Sequence, residues 1–485
     1  MKKFNIKYLV VTSMFFTLIV LTSCKDWLTV APEDSLIKEK FWTKTADVDG
    51  ALAATYNAMR DVSLNSLIMG EVRADLVNFT GNSFSGYARI GESDITPTNN
   101  NVGWSNYYKP INMANTLMYY DKQVLELDKT FTEEYMNQVD AEALYIRSLS
   151  YFYLIRLWKD VPLVINASIS DTSDLFVPKS PEKVVVKQVI SDLERAKNMA
   201  YTTEFMGTDY FYGRANRYSI LALLADVYLW DEQYQKCIEA CDEIINSGLY
   251  DLETNETFFN IYYPGNSGVE SIMEFQYNDD LESQDNPIYG QLVPPDPGSP
   301  QCEIDANKLN LIMNTEDPRR FQGKGATWKY AGKDAFGLIP RTNNERSANW
   351  IIHRYADVLL MKAEAEIELD NYGEANTYIR ATLDRVGMPY QEVYIKEDLR
   401  QALLDEKGRE FLLEGKRWFD LLRAAKRDNF ANKQIIIEMI LSGADVKQQA
   451  ILKTKVYDTL SYYLPVLQRE LDYNQNLEQN PYYDR

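Results

Sequence analysis

Histidine is nearly missing from this sequence. Among 485 residues, His353 is the only one. A histidine-rich metal centre is thereby excluded, and any Ser-His-Asp or Cys-His scheme would hang on one residue. Cysteine is scarce as well, with Cys24, Cys237, Cys241 and Cys302 as the full set. Cys24 stands apart near the N-terminus, and the other three are an odd number, which argues against a disulfide framework. Cys237 and Cys241 lie four apart in a helical pattern, as core residues on one helix face do. Bases are outnumbered: 51 Lys and Arg face 71 Asp and Glu, for a formal net charge of −20. That sign opposes nucleic-acid binding, because phosphate contacts need a basic footprint. Long apolar runs are missing too, apart from one near the N-terminus, which excludes a multi-span membrane architecture.

That one run has the form of an address. Lys2, Lys3 and Lys7 lead into Leu9 to Thr22, which is apolar and uncharged. Its length suits a signal-peptide core and is short for a spanning helix. It stops at Leu21-Thr22-Ser23-Cys24, which resembles a bacterial lipobox, where cleavage precedes a lipidated cysteine. A plain signal peptide with an incidental cysteine is the alternative. The expectation is a signal peptide over 1–23 and a body over 24–485, tied to a membrane through Cys24. The several acyl chains of a bacterial lipoprotein hold durably, whereas one chain binds only reversibly.

The body is rich in aromatics, at 13% with 34 Tyr, so their placement has to carry meaning. Apolar spacing of three and four predicts helices over 46–62, 110–127, 133–159 and 181–202. Residues 63–108, rich in Asn, Gly, Ser and Thr, read as loop with short elements. Residues 214–248 read as a helix pair. There Leu224, Ala225, Tyr228, Cys237, Cys241 and Ile244 fall where a tetratricopeptide repeat places small and aromatic packing residues. Residues 354–388 repeat the scheme with Leu359, Ala363, Ala375 and Ile379, and 141–158 offers Ser148 and Tyr151. Such repeats bury a face only by stacking. The fold class is therefore mostly α: a tetratricopeptide-like scaffold over about 40–250 and 351–430. Residues 251–350, with eight prolines from Pro264 to Pro340, read as a loop-rich insert with short strands on the ligand side. Residues 396–428 are helical and charged, and 455–485 return to turns.

These residues carry a resemblance. Arg354-Tyr355-Ala356-Asp357-Val358-Leu359-Leu360-Met361, then Ala363-Glu364-Ala365, resembles the signature helix of the SusD/RagB family of Bacteroidetes outer-membrane lipoproteins. Glu406, Arg409-Glu410, Glu414-Gly415, Arg417-Trp418-Phe419-Asp420 and Arg423 resemble its second signature, and Tyr463-Leu464-Pro465-Val466 to Gln479-Asn480-Pro481 its third. Cys24 to Leu28, Phe41-Trp42 and Ala51 to Tyr56 agree at the other end. Lys407 and Gly408 depart from the pattern, and Asn474 to Leu477 lacks a proline. The resemblance implies a glycan-binding nutrient-uptake protein without catalysis. It would sit at the outer membrane, facing the exterior, and pass oligosaccharide to a SusC-type TonB-dependent transporter. A lipid-anchored glycoside hydrolase and a structural adaptor without its own ligand are the alternatives.

The chemistry of the residues must be weighed beside that. Acids and bases from Glu406 to Arg427 recur at spacings that make ion pairs along a helix, with Trp418, Phe419, Leu421 and Leu422 facing the core. Paired carboxylates for glycoside hydrolysis cannot be singled out among 71 acids. Asn278, Asp279, Asp280, Glu282, Asp285 and Asn286 could hold calcium, but they lack the spacing of an EF-hand loop, and a solvated acidic loop is the plainer reading. No cofactor is expected. A sugar needs an aromatic ring for its C–H face and planar polar partners for its hydroxyls. Aromatics in polar loops are the candidates: Phe84, Tyr87 and Arg89 in the first region, and Tyr289, Trp328, Tyr330, Asn343 and Arg346 in the second. Arg319, Arg320, Lys324, Lys329, Lys333, Arg341 and Arg346 face only Asp334 and Glu345 in that second stretch. The surplus suggests an acidic glycan, with pairing to acids elsewhere as the plainer reading.

Overall fold

The computed structural model describes residues 41–82, 85–169, 175–202, 212–263, 268–278, 285–293, 300–320, 328–332, 341–342, 345–444 and 446–484, with the backbone alone at Trp328 and Val446. The signal segment and Cys24 lie outside them.

Helix α1 (Thr45–Arg60) starts where Asp47 accepts the backbone N–H groups of Thr43 and Lys44, each at 3.0 Å. It runs through α2 (Val62–Leu67) into a π turn (Ile68–Val72) and the short β1 (Val77–Phe79). Helix α3 (Gly86–Gly91) is capped by Ser85, whose hydroxyl accepts the Ala88 N–H at 3.2 Å. Helix α4 (Ser105–Leu127) begins five residues before the expected 110 and contains Pro110 within it. Helix α5 (Glu133–Trp158) is buried on every side from Gln138 to Trp158, which marks it as the central rod of the scaffold. A strand pair, β2 (Val161–Pro162) with β3 (Lys179–Ser180), leads to α6 (Glu182–Met199).

The repeat reading holds. Helices α7 (Arg217–Trp230) and α8 (Tyr234–Asn246) pack as a pair. Asn216 opens the pair by accepting the N–H groups of Tyr218 and Ser219. Leu224, Ala225, Cys237, Cys241 and Ile244 are wholly buried, as their spacing requires. The chain then crosses the insert: β4 (Ser271–Phe275), α9 (Tyr289–Leu292), β5 (Cys302–Ile304), α10 (Ala306–Ile312) and α11 (Trp328–Ala331). β6 (Trp350–Arg354) returns to the scaffold and leads into the pair α12 (Tyr355–Glu368) and α13 (Tyr372–Arg385). Helix α12 packs against α8 across more than a hundred residues of sequence, so the two repeat pairs stack. Burying side chains such as Ile244 and Ile379 in these seams contributes about 2 kcal/mol each.

The insert is bound to both halves. β4 pairs antiparallel with β6, from Ser271 opposite Arg354 to Phe275 opposite Trp350. β5 pairs antiparallel with β1, Val77 opposite Ile304 and Phe79 opposite Cys302. The C-terminal part holds α14 (Lys396–Glu410), α15 (Arg417–Phe430), α16 (Gln434–Ser442), α17 (Val446–Lys455) and α18 (Gln468–Tyr473). Between α14 and α15, Gly415 has φ +73°, and a Cβ there would lie 2.8 Å from the Ser66 carbonyl oxygen. Gly70 of the π turn faces it so closely that a Cβ on Gly70 would overlap the Gly415 carbonyl. Helix α15 breaks at its end, where Arg427 to Asn429 leave helical geometry. No described helix is long and apolar enough to cross a membrane.

Candidate functional site

The first cluster to test is the charged centre. Arg354 leaves β6 with its guanidinium fully buried and donates to Glu410 Oε1 at 2.6 Å and Glu414 Oε1 at 3.0 Å, with Glu270 as a third acid. Arg319 meets Glu406 at 2.7 Å, Glu410 at 2.8 Å and Asp317 at 2.6 Å. Lys329 donates to Glu414 Oε1 and the Glu410 carbonyl, both at 2.7 Å. Burial alone would raise the Glu410 carboxyl, but Arg385, Arg354 and Arg319 outweigh it and hold it well below the usual range. The same contest, won by Arg354, Lys329 and Lys416, lowers Glu414. Carboxylates held this way are not poised to give up or take a proton at neutral pH. The network ties β6, α14 and the insert together. His353 is buried beside it, with Nε2 4.0 Å from Asp226 Oδ2, in the wall of a polar cavity of about 50 Å³.

The second cluster is a ledge built by the insert against the N-terminal part. β1 pairs with β5, α3 packs on β1, α9 packs on β5 and α11 packs on α9. Thr80 N–H donates to the Gln301 carbonyl at 2.7 Å, and Gln301 N–H donates to the Gln291 carbonyl at 3.0 Å. The two aromatic, polar stretches of the sequence are thus brought side by side. On the first, Phe79 and Tyr87 meet edge to face, with ring centroids 5.8 Å apart. Arg89 follows Tyr87 on α3, half exposed, and pairs with Asp94 at 3.9 Å. On the second, the Arg346 guanidinium lies 5.4 Å from the Tyr289 ring centroid and 3.5 Å from Asp285.

The expected ligand residues divide under this geometry. Tyr87 is partly exposed, and Arg89 and Arg346 reach the surface, so these three suit a sugar's ring face and hydroxyls. Tyr330 does not: it is 1% exposed, clamped between Tyr262 at 5.5 Å and Trp350 at 5.3 Å, so it belongs to the core. Tyr289 is also buried and donates its hydroxyl to the Arg341 carbonyl at 2.6 Å, so it supports the ledge from beneath. Phe84, Asn343 and the Trp328 side chain lie outside the described residues, as does the acidic run Asp279 to Glu282. Arg319 and Lys329 neutralise buried glutamates, and Arg341 donates to the carbonyls of Gly332 and Tyr262. Described bases of the positive stretch are thus occupied within the fold, which removes Arg319, Lys329 and Arg341 from the argument for an acidic ligand. Phe79, inside the first aromatic region, stands in a strand beside Tyr87, whereas Gln301 went unselected in the sequence and lies against Gly81 with no motif to mark it. The scaffold reading of Trp104, Tyr107 and Tyr108 agrees with their places: the first two are buried, and Tyr108 donates to the Pro162 carbonyl.

Comparison with known proteins agrees in both halves. A family model described as the SusD family matches residues 336–483, and one described as starch-binding, associating with the outer membrane, matches residues 26–229. A SusD-like protein of Formosa agariphila is 27% identical, covering 88% of this chain and 93% of that one. A SusD superfamily structure from Bacteroides thetaiotaomicron superposes with a TM-score of 0.73 at 20% identity, over 91% of this chain and 99% of that one. A structure described as a laminarin-binding SusD-like protein gives 0.72 at 23% identity, over 90% and 99%.

Proposed function

The chain belongs to the SusD/RagB family, and on that premise we propose that it captures glycan at the cell surface and hands it to a SusC-type TonB-dependent transporter. The observation that carries the reading is the match, in order, of both halves to a family whose N-terminal model is described as starch-binding and outer-membrane-associated. The ledge supplies the place: Tyr87 for stacking, with Arg89 and Arg346 for hydroxyls. The anchor is the lipid on Cys24, and the body faces the cell exterior. Affinity electrophoresis against a panel of polysaccharides, laminarin among them, tests the reading. A retarded band with one of them, and no release of products from it, is expected. No retardation by any of them overturns glycan capture and leaves the adaptor role, while released products overturn the binding-only reading.

A further inference from the structure

Among the described residues, one buried cation, Arg73, is paired with no carboxylate. Arg73 closes the π turn and is 3% exposed. Its guanidinium lies 4.0 Å over the Trp418 ring, and Nη2 donates to the Tyr462 carbonyl at 2.6 Å. Nη1 is buried and donates to nothing. The buried arginines of the charged centre behave otherwise: Arg319, Arg354, Arg417 and Arg423 each meet a carboxylate. Among the described residues no carboxylate pairs with Arg73. Burial pushes its guanidinium down to about 10, with Tyr483 and Tyr463 acting the other way. The buried Tyr463 hydroxyl is itself without a partner.

Arg73 lines a cavity of about 30 Å³, walled also by Ser93, Trp418, Lys455, Ser461 and Tyr483. The rim carries both signs. Lys455 lies 3.8 Å from Asp94, and both are partly exposed. A cavity of about 30 Å³ exceeds the roughly 10–15 Å³ that one water needs, so it admits a monatomic ion or the carboxylate end of a larger molecule. An unpaired buried charge is costly, and a counter-ion removes most of that cost.

We propose that this cavity is an anion site, with the Arg73 guanidinium at its floor, the Ser461 hydroxyl on its wall and Lys455 at its rim. It takes one compact negative charge, either a free halide or the carboxylate of an acidic sugar. The site adjoins the ledge at the end of α3, where Asp94 pairs with both Arg89 and Lys455, but its floor at Arg73 stands whether or not the ledge binds glycan.

The test uses the mature protein. Crystals are soaked in sodium bromide and, separately, in sodium glucuronate. In solution, thermal unfolding is followed against each salt at constant ionic strength. An anomalous bromide peak at Arg73 Nη1 assigns a free ion. Glucuronate density there without a bromide peak assigns a sugar carboxylate, and competition between the two assigns the shared charge. Water alone at Nη1 in both soaks, or bromide on surface lysines as an adventitious ion only, overturns the proposal. Arg73→Gln should abolish the salt-dependent rise in the unfolding midpoint. Because Arg73 also packs on Trp418, Lys455→Gln is the second variant, expected to weaken apparent affinity about threefold. An anion response untouched by both substitutions overturns the site.

Discussion

A guanidinium taken wholly out of water needs acceptors on every edge. Arg354 has them in Glu270, Glu410 and Glu414. Arg354→Met removes the charge that these acids share and leaves them buried together. The expected loss is about 3–5 kcal/mol in urea unfolding, enough to depopulate the fold. Asp121 presents the opposite case, a buried carboxylate with no ion pair among the described residues. Burial, with the neighbouring Asp140 carboxylate second, pushes its pKa up to about 9 from an ordinary 3.8. The folded state therefore binds a proton that the unfolded chain has released. Stability from this group is fullest below pH 3.8 and drains away as pH climbs toward 9. Asp121→Asn should flatten that decline and gain on the parent at pH 8.5 in thermal melts; a parallel pH profile would sink the assignment. On the ledge, Tyr87→Ala should weaken glycan retardation several-fold while leaving the unfolding midpoint within a few degrees, because the ring is only half packed. Tyr330→Ala should unfold the protein instead, since that ring fills the core between Tyr262 and Trp350.

The turn between α14 and α15 shows how one element fixes another. Gly415 adopts φ +73° against the Ser66 carbonyl, with Gly70 facing it. Gly415→Ala carries both the left-handed backbone cost and a clash with main chain, so we expect a loss above about 1 kcal/mol, read as a lower urea midpoint with an unchanged slope. Nothing in the order of residues announced that contact; it depends on two glycines 345 positions apart. The long helices were legible, because their apolar residues keep the 3.6 period and each is anchored at a face that stacking must bury. The start of α4 was not, since Pro110 reads as a boundary and the chain carries it inside the helix. Helix α3 and the π turn escaped for a different reason: short elements in a Gly- and Asn-rich stretch are made by caps and tertiary contacts rather than by period. Surface placement of the expected ligand residues was legible only in part: Tyr87, Arg89 and Arg346 reach the surface, and Tyr289 and Tyr330 are buried. A tyrosine in a polar loop looks alike in sequence whether its ring meets solvent, as Tyr87 does, or Trp350, as Tyr330 does. Burial is decided by the strand pairs β1–β5 and β4–β6, whose partners are remote in the chain.

At the scale of the whole molecule, the anchoring proposal has a direct test. Cys24→Ala should move the protein from the membrane fraction to the soluble one, or leave the precursor uncleaved; unchanged fractionation without the transporter would sink it. The stacking of α8 on α12 reaches further, into the order in which the chain can fold. Cys237 of α8 rests 3.8 Å from the Met361 carbonyl, so the face that buries it is delivered by residues more than a hundred positions later. A chain exported N-terminus first, as the anchoring proposal requires, presents α8 with that face bare until the insert and α12 have followed. During that interval the apolar seam and two thiols stand open to water and to whatever oxidant the compartment holds. If the chain is exported as proposed, the time this face stays bare depends on how fast α12 follows α8 out of the membrane. Under that proposal, the α8 face at Cys237 is one that a holding chaperone in the receiving compartment would have to cover.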